Sequence, residues 1–450
     1  MHSRYAGTLR LSGRTRGPDM IRSFTRRRHV AARRRFPDCL WLCWFAASLG
    51  CATTRTPHVP ESMPTLTPPP MIRVCLAEAV PRAVIAFAGY VQMRGDDGAA
   101  AAATGTSGVL EAQVANGAIE LRQQGVVACR GITRVVLEGD AAGAHWRLGK
   151  ESYRGTLHIL RVGTLLTVVN EIGLEEYLQG VVPWEIGKQD PAARAALEAQ
   201  AIAARTYAYK RLGRYPESGF DVYADVTDQV YQGTVRMDSL ANAAIRLTAG
   251  LVLWDQGEPI EAYYCSTCGG HTSRIEAVWN KPAAPTLRGR RDTDDATGSY
   301  CAGSPHFRWS ESWSGLQLER TLQQTLPREL GWPDTTTIGA LLDLEIASRD
   351  ETGRVSELIV RTTRGVFRVH GDRIRWVLRP RDRAILRSTL FFLDIERRDR
   401  TIVRVLGYGG GNGHGVGMCQ MGAIEMARRG KNSSEILTHY YLGAEIRRRY

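Results

Sequence analysis

The sequence lacks several features that mark common classes of protein. Its most apolar stretch, residues 39–49, has 11 residues, about half the length that a membrane-spanning helix needs. Its glycine-rich segment, residues 407–423, contains no GxxxxGK[ST] pattern, which excludes a phosphate-binding loop of that type. We find no internal repeat along the chain. A globular protein without these specialised architectures is therefore expected.

The body of the chain also has little net positive charge. The formal net charge is +13. Residues 1–38 contribute +9 of it, from eleven Arg and two Asp, which leaves +4 for the rest of the chain. Without a basic stripe in the body, the high isoelectric point does not indicate binding to nucleic acid.

The N-terminus has the organisation of a bacterial export signal. Basic residues precede the apolar stretch, which ends in small residues followed by Cys51. This pattern predicts an export signal over residues 1–51 with a lipobox, in which Cys51 is lipidated. Ser48 stands where a lipobox usually has Leu, so an uncleaved anchor and an ordinary cleaved signal are the alternatives. We expect an exported protein of the periplasm or cell envelope that a lipid anchors to a membrane.

The rest of the chain predicts an α+β fold. Residues 52–70 are rich in Thr and Pro and indicate an extended tether. Short β-branched runs over residues 71–170 predict a β-rich part, with an Ala/Gly loop at 98–108. Residues 171–450 predict a core with helices and further antiparallel strands. Its longest helix is expected at 191–212, where Asp190 caps and many helix-forming residues follow. Asn432 and Glu435 predict a capping box that begins another helix near the C-terminus.

Glu185 is the first candidate catalytic residue. It ends the apolar run 181–184, beside Trp184 and just before the long helix. Apolar surroundings raise the pKa of a carboxyl because they disfavour its charged form. Such a glutamate can donate a proton near neutral pH. A solvated or capping glutamate is the alternative interpretation.

A cysteine and histidine pattern predicts a metal site. Cys265, Cys268 and His271 form a CxxC motif followed by a histidine, and Cys301 lies about thirty residues further on. Four N and S ligands are what a structural zinc prefers, and they leave no open coordination position. Because an exported protein can form disulfides, a Cys268–Cys301 bridge is the alternative.

The glycine-rich segment 407–423 predicts a close approach of backbone to another group. We interpret it as one wall of a sugar-binding groove, in which His414 and Gln420 form hydrogen bonds. A simple glycine-rich turn between a strand and a helix is the alternative.

Several long segments together resemble the stage II sporulation protein D (SpoIID/LytB) family. They are EEYLQGVVPWE, ALEAQAIAARTYA, DVTDQVYQG, STCGGHT, CAGSPHFRW and GHGVGMCQMGA, and the similarity covers residues 71–446 in order. The resemblance implies a SpoIID-like fold with an antiparallel β-rich body, a long central helix and a substrate cleft. It implies that Glu185, which follows the GVVP segment, is the catalytic glutamate. It also places Cys268, His271 and Cys301 at positions of the family's zinc site.

The resemblance further implies an activity. Enzymes of this family are lytic transglycosylases of peptidoglycan glycan strands, particularly strands stripped of stem peptides, and other members are amidase enhancers. We therefore predict cleavage of the MurNAc–GlcNAc bond with 1,6-anhydroMurNAc products. The alternative is a non-catalytic glycan-binding protein that enhances a cell-wall amidase.

Other residues are expected to line the cleft. Arg205 is predicted to hold Glu185 or a substrate carbonyl, and a helix-surface arginine is the alternative. Hydrolysis would need a second carboxyl, for which Asp225 and Asp228 are candidates, although we favour the interpretation that they are turn residues or sugar ligands. The candidate sugar contacts are Tyr207, Gln229 and Tyr231.

Overall fold

The structure is a computed structural model that describes residues 67–450, except residues 96–99, 140–142, 235–237, 295 and 334 and the side chains of residues 100–105. The predicted export signal, Cys51 and most of the predicted tether lie outside the described residues. Within the described part of the chain, we find no helix with the length and apolar composition needed to cross a membrane.

The first hundred described residues form most of one large, mainly antiparallel sheet. Its eleven strands run in the order β11-β1-β10-β9-β6-β2-β3-β4-β5, and β7 and β8 attach through β2. Only β11 pairs in parallel, against β1. Apolar residues alternate along these strands, so one face is buried. The strands are β1 (Met71–Val80), β2 (Arg82–Gly95), β3 (Ala100–Ala115), β4 (Ala118–Gln123), β5 (Val126–Ile132), β6 (Arg134–Gly139), β7 (His145–Leu148), β8 (Glu151–Tyr153), β9 (Thr156–Val162), β10 (Leu165–Gly173) and β11 (Val222–Tyr223).

The buried central helix α3 (Arg194–Lys210) follows. Asp190 caps a 3-10 turn at Pro191–Ala193 by accepting from the Ala192 N–H, as predicted, and α3 continues from this turn. Six of its seven alanines are buried, and they let neighbouring elements pack closely. Around α3 lie α1 (Leu174–Gln179), α2 (Val182–Glu185), α4 (Ser239–Leu247), β12 (Leu251–Asp255), β13 (Glu258–Pro259), β14 (Tyr264–Cys265), α5 (Ile275–Val278), β15 (Thr293–Asp294) and β16 (Gly298–Ser299).

Residues 309–409 contain a second hydrophobic cluster, distinct from the one around α3. Two three-stranded antiparallel sheets enclose it, in the orders β17-β22-β21 and β18-β19-β20. We call this part of the chain the insertion. Its elements are β17 (Trp309–Ser314), α6 (Gly315–Leu330), β18 (Leu341–Arg349), β19 (Val355–Thr362), β20 (Gly365–His370), α7 (Arg373–Val377), β21 (Phe391–Arg398) and β22 (Thr401–Gly409).

The chain then returns to the first cluster. The strand β23 pairs in parallel with β14, and the last strand, β24, pairs with β12. The predicted capping box is confirmed, because Asn432 and Glu435 each accept from the other's backbone N–H. These elements are β23 (Met418–Cys419), α8 (Gln420–Arg428), α9 (Ser433–Tyr440) and β24 (Glu445–Arg448).

The structure confirms the fold class expected from the sequence and corrects one predicted loop. The mixed α+β class with a large antiparallel sheet and several helices is confirmed. The loop predicted at residues 98–108 is wrong, because β3 begins at residue 100 and pairs with β2 along its length. Ala and Gly have low strand propensity, but pairing with a neighbouring strand overrides it.

Candidate active site

One cavity, of about 710 Å³, contains the predicted glutamate. Glu185 reaches it from the end of α2, and Tyr207 from α3. Tyr264 comes from β14, and His414 and Gln420 come from the glycine-rich segment that leads into α8. Residues from four distant stretches of sequence thus meet at one place. We call this cavity the Glu185 cavity.

The environment of Glu185 favours its neutral form. Burial raises the pKa of this carboxyl to about 7, although hydrogen bonds from the backbone of Val230 and the side chains of Tyr264 and Gln420 work in the opposite direction. The Val230 N–H donates to Oε1 at 2.8 Å. A proton on the carboxyl therefore resides on Oε2. Trp184, which the sequence suggested as the apolar neighbour, is not among the residues that line the cavity.

A chain of hydrogen bonds orients the Tyr264 hydroxyl. The Tyr177 hydroxyl donates to Gln229 Oε1 at 3.1 Å, and Gln229 Nε2 donates to the Tyr264 hydroxyl at 2.8 Å. Because the Tyr264 oxygen accepts from Gln229, its own proton is free to point at Glu185. All three side chains are buried or half-buried, so this arrangement is fixed before any ligand arrives.

The other carboxyls that line the Glu185 cavity are paired with arginines. Asp228 accepts from Arg214 at 2.7 Å and from the Tyr207 hydroxyl at 2.8 Å. Asp372 accepts from Arg375 at 2.9 Å. Among the described residues that line this cavity, Glu185 is therefore the one carboxyl without a basic partner. Asp225, the other candidate for a second carboxyl, is a turn residue that accepts from the Thr227 N–H.

The His414 ring forms part of the wall. The Val416 N–H donates to its Nδ1 at 3.1 Å, and the ring also hydrogen-bonds the backbone of Tyr264. Burial lowers the pKa of His414 to about 4, so the ring is neutral at pH 7. Its centroid lies 4.8 Å from that of Trp279. Backbone groups already hold the ring in place, and it contributes aromatic surface to the wall of the cavity.

Arg205 does not line the cavity, and the predicted contact with Glu185 or substrate is wrong. Its side chain is fully buried on the opposite side of α3. It donates two hydrogen bonds to Glu175, at 2.7 and 2.8 Å, and others to the carbonyls of Ile245 and Leu251. Arg205 therefore joins α1, α3, α4 and β12, and a ligand cannot reach it.

Two of the three predicted sugar contacts are also corrected. Gln229 is fully buried and supports Tyr264. Tyr231 is 2% exposed, donates to Asn170 at 2.8 Å and packs on Tyr177. Neither lines the cavity, whereas Tyr207 does. The sequence pattern indicated which residues were close to the site, but not that aromatic packing turns them inward.

A buried cluster of thiols and a carboxyl lies beside the cavity. Cys268, Asp292, Cys301 and Cys419 place one ligand atom each within 4.8 Å of one another. The sulfur atoms of Cys268 and Cys301 are 3.6 Å apart, and Cys268 Sγ lies 3.0 Å from Asp292 Oδ2. Two thiolates on a tetrahedral zinc lie about 3.8 Å apart, given Zn–S bonds of about 2.3 Å. The donor set and its spacing therefore fit a four-coordinate zinc.

This cluster corrects half of the predicted ligand set. Cys265 lines the Glu185 cavity instead, and the Nδ1 of His271 lies 2.7 Å from the carbonyl of Thr272. Asp292 and Cys419 take their places. Cys419 was visible in the sequence as a cysteine left without a role, but nothing in the local sequence marked Asp292. All six cysteines in the described part of the chain are unbridged.

The cluster and the cavity share structural elements. Cys419 caps α8, whose first residue, Gln420, hydrogen-bonds Glu185. The parallel pairing of β14 with β23 sets Tyr264 opposite Met418. A Cβ at Gly422 would come within 2.2 Å of the Tyr440 hydroxyl and 2.7 Å of Asp292. Glycine there allows the start of α8 to approach the cluster.

Comparison with known proteins gives two matches to family models. Residues 163–254 match the family described as stage II sporulation protein. Residues 294–417, which include the whole insertion, match a domain of unknown function, DUF8618. The first match includes Glu185 and α3, and the second ends just after His414.

Three relatives extend this similarity. An uncharacterised protein of Brachyspira hyodysenteriae is 32% identical over 300 residues, which is 65% of this chain and 72% of that protein. Stage II sporulation protein D of Bacillus amyloliquefaciens is 30% identical over 294 residues, 62% of this chain and 75% of that protein. The amidase enhancer of Bacillus subtilis is 28% identical over 295 residues, 60% of this chain but 40% of that protein.

Fold and site together define an α+β protein whose cavity contains one carboxyl without a basic partner, hydrogen-bonded to a tyrosine and a glutamine. With relatives of this similarity and coverage, the chain belongs to the stage II sporulation protein D family.

Proposed function

We propose that this protein is a lytic transglycosylase that cleaves the MurNAc–GlcNAc bond of peptidoglycan glycan strands. One observation supports the proposal. Among the described residues that line the cavity, every carboxyl except that of Glu185 is paired with an arginine. Hydrolysis of a glycoside usually takes two working carboxyls. A transglycosylase needs one, because the substrate supplies its own nucleophile.

In the proposed reaction, the C6 hydroxyl of muramic acid attacks C1 of the same sugar. The bond from C1 to the leaving oxygen breaks and the bond from C1 to O6 forms. Neutral Glu185 gives its proton to the leaving oxygen and then takes the proton of the C6 hydroxyl. Water does not enter, and the attack is intramolecular, so little orientational entropy is lost at the transition state.

The neighbours of Glu185 serve both protonation states. A carboxylate formed in the first half of the reaction accepts hydrogen bonds from Val230, Tyr264 and Gln420. These donors are already in place, so the charge that develops needs no reorganisation. The burial that raises the pKa to about 7 keeps a substantial fraction of Glu185 protonated near neutral pH.

Identification of the reaction products tests this proposal. Wild-type protein is incubated with purified glycan strands free of stem peptides, and the products are analysed by mass spectrometry. We expect 1,6-anhydroMurNAc ends, which are lighter than reducing ends by one water, about 18 Da, because the intramolecular attack takes up no water. Reducing ends that incorporate ¹⁸O from labelled water would show hydrolysis and contradict the proposal.

The relative named amidase enhancer favours a second candidate, a protein that binds glycan and stimulates a cell-wall amidase. In that case the same strands would bind but remain uncut, and a purified cell-wall amidase would release stem peptides faster in the presence of the protein. The raised pKa of a carboxyl inside a cavity favours the enzyme, since a binding surface has no need of it.

A structural zinc held by Cys268, Asp292, Cys301 and Cys419 is part of the proposal. Four protein ligands leave no open position, so the metal would crosslink three segments of chain and take no part in the reaction. Those segments carry Tyr264 and Gln420 on their flanks. Zinc would therefore hold these two side chains in register with Glu185.

Metal analysis of purified variants tests the zinc site. We expect about one zinc per wild-type chain, as a single four-ligand site requires. Cys419→Ser and Asp292→Asn should lose most of it, and a chelator should lower the melting temperature of the wild type. Cys75→Ser is the matched control, because Cys75 is buried far from the cluster in its own small group of apolar residues. Full zinc content in Cys419→Ser would contradict the ligand set.

The proposed site of action is the cell envelope. Residues 1–51 would direct export, Cys51 would carry the lipid anchor, and residues 52–70 would act as the tether, followed by the β-rich part at 71–170 and the catalytic core at 171–450. Glycan strands are the proposed partner, and a cell-wall amidase belongs to the second candidate.

A further inference from the structure

A second cavity adjoins the Glu185 cavity. Its volume is about 760 Å³, close to the 710 Å³ of the first, and either volume is typical of a ligand site. Trp279, Asn280, Asp372 and Trp376 line both cavities. The two therefore form one continuous groove, and the two tryptophans lie where the cavities meet.

The second cavity lies between the two hydrophobic clusters of the protein. One wall is α5 with the residues that follow it, and the other is formed by β20, α7 and the end of α6 in the insertion. The Asp372 N–H donates to the carbonyl of Val278 at 3.0 Å and ties the two walls together. Gly371 has a φ of +57°, and a Cβ there would lie 2.3 Å from the same carbonyl. Glycine at this position therefore lets the two walls come into contact.

The lining suits a ligand with ring-shaped units that can stack on aromatic side chains. Trp279 and Trp376 are half-buried and offer aromatic surface. Charged side chains of both signs lie around them, and several are held in ion pairs, as in Arg368 with Glu357 at 2.6 Å and Asp372 with Arg375 at 2.9 Å. Pyranose rings, which stack on aromatic faces and hydrogen-bond through hydroxyls, match this lining.

We propose that the second cavity is a distal glycan subsite, in which the insertion binds sugar units beyond those held at Glu185. This inference rests on the proposed function, because it takes the occupant of the Glu185 cavity to be a glycan strand. It gives the domain of unknown function a role: it lengthens the groove and selects long strands over short ones.

Binding measurements with strands of two lengths test the subsite. All proteins carry Glu185→Gln, so that bound strands stay intact, and calorimetry measures their affinity for stem-peptide-free tetrasaccharides and for strands of eight or more sugars. Ala277→Trp fills the second cavity from α5 without touching the Glu185 cavity. We expect it to weaken binding of long strands about tenfold, as the loss of a stacking contact implies. Its affinity for tetrasaccharides should not change.

Two further variants complete the design. Trp376→Ala should weaken the binding of long strands at least as much as Ala277→Trp does. Trp332→Ala is the control, because Trp332 lies in the same insertion, packs on Phe367 and lines neither cavity. It should leave both affinities unchanged.

The possible failures are distinguishable. Equal affinity of the Glu185→Gln protein for long and short strands would overturn the subsite and leave the proposed function intact. Stronger binding of peptide-bearing strands, abolished by Ala277→Trp, would assign the cavity to the stem peptide and also overturn it. Absence of binding to any glycan would overturn both proposals.

Discussion

Glu185→Gln is expected to reduce the rate of glycan cleavage by roughly 10²–10⁴-fold, the usual contribution of a general acid. The amide keeps the shape of the side chain, and its oxygen can still accept from the Val230 N–H. It cannot give up a proton, so both halves of the reaction fail. Initial rates on stem-peptide-free strands measure the effect, and affinity for the strands should change little. A variant that cuts at the wild-type rate would exclude Glu185 as the acid.

Glu176→Gln is the matched control for this experiment. Glu176 is an exposed glutamate on α1 and does not line the cavity, so its amide variant should retain the wild-type rate. Such a result would show that the loss in Glu185→Gln comes from the cavity carboxyl and not from a change in net charge.

The Glu185→Gln variant should also be more stable than the wild type at high pH. Burial raises the pKa of Glu185 from 4.5 to about 7, so the contribution of this carboxyl to stability is fully present below pH 4.5 and is lost as the pH rises through 7. A shift of this size corresponds to about 3 kcal/mol. Denaturation at pH 4 and pH 9 should show similar stabilities at the lower pH and a more stable variant at the higher. This outcome also shows that the inactive variant is folded.

Arg205→Met is expected to lower the free energy of unfolding by about 3–5 kcal/mol, the usual cost of removing one partner of a buried ion pair. The Arg205 side chain is fully buried and its hydrogen bonds to Glu175 are 2.7 and 2.8 Å long. Methionine fills a similar volume but removes the charged donor from Glu175, which keeps its hydrogen bonds from the Tyr450 hydroxyl and the Gly250 N–H. Chemical denaturation at neutral pH measures the change.

Arg194→Met provides the comparison on the same helix. Arg194 pairs with Glu198 one turn away, and 59% of its side chain is exposed, so its loss should cost less than about 1 kcal/mol. The KM of the folded fraction of Arg205→Met should equal that of the wild type, because Arg205 does not reach the cavity. A raised KM with unchanged stability would restore the role in substrate binding that the sequence suggested.

Features that depend only on residues a few positions apart along the chain could be predicted from the sequence. The cap at Asp190, the long helix after it and the capping box at Asn432 are confirmed, because each is determined within a few residues. The loop predicted at residues 98–108 failed because strand β3 depends on its pairing with β2, which a local reading cannot detect.

The site was predictable only in part, for the same reason. Glu185, Tyr207, His414 and Gln420 line one cavity, as the resemblance to the family suggested. Arg205, Gln229 and Tyr231 lie close to it in sequence, but packing turns their side chains into the protein interior. Asp292 joins the cysteine cluster through the tertiary fold, and no spacing rule connects it to Cys268.

The proposed reaction requires that the carboxyl of Glu185 stays protonated up to neutral pH inside its cavity. Infrared difference spectroscopy tests it most directly, by comparing wild type with Glu185→Gln over pH 4 to 9 in protein labelled with ¹³C at the glutamate carboxyls. We expect a protonated-carboxyl band that belongs to Glu185 and disappears with a midpoint of about 7. A midpoint at the ordinary glutamate value of about 4.3 would contradict it.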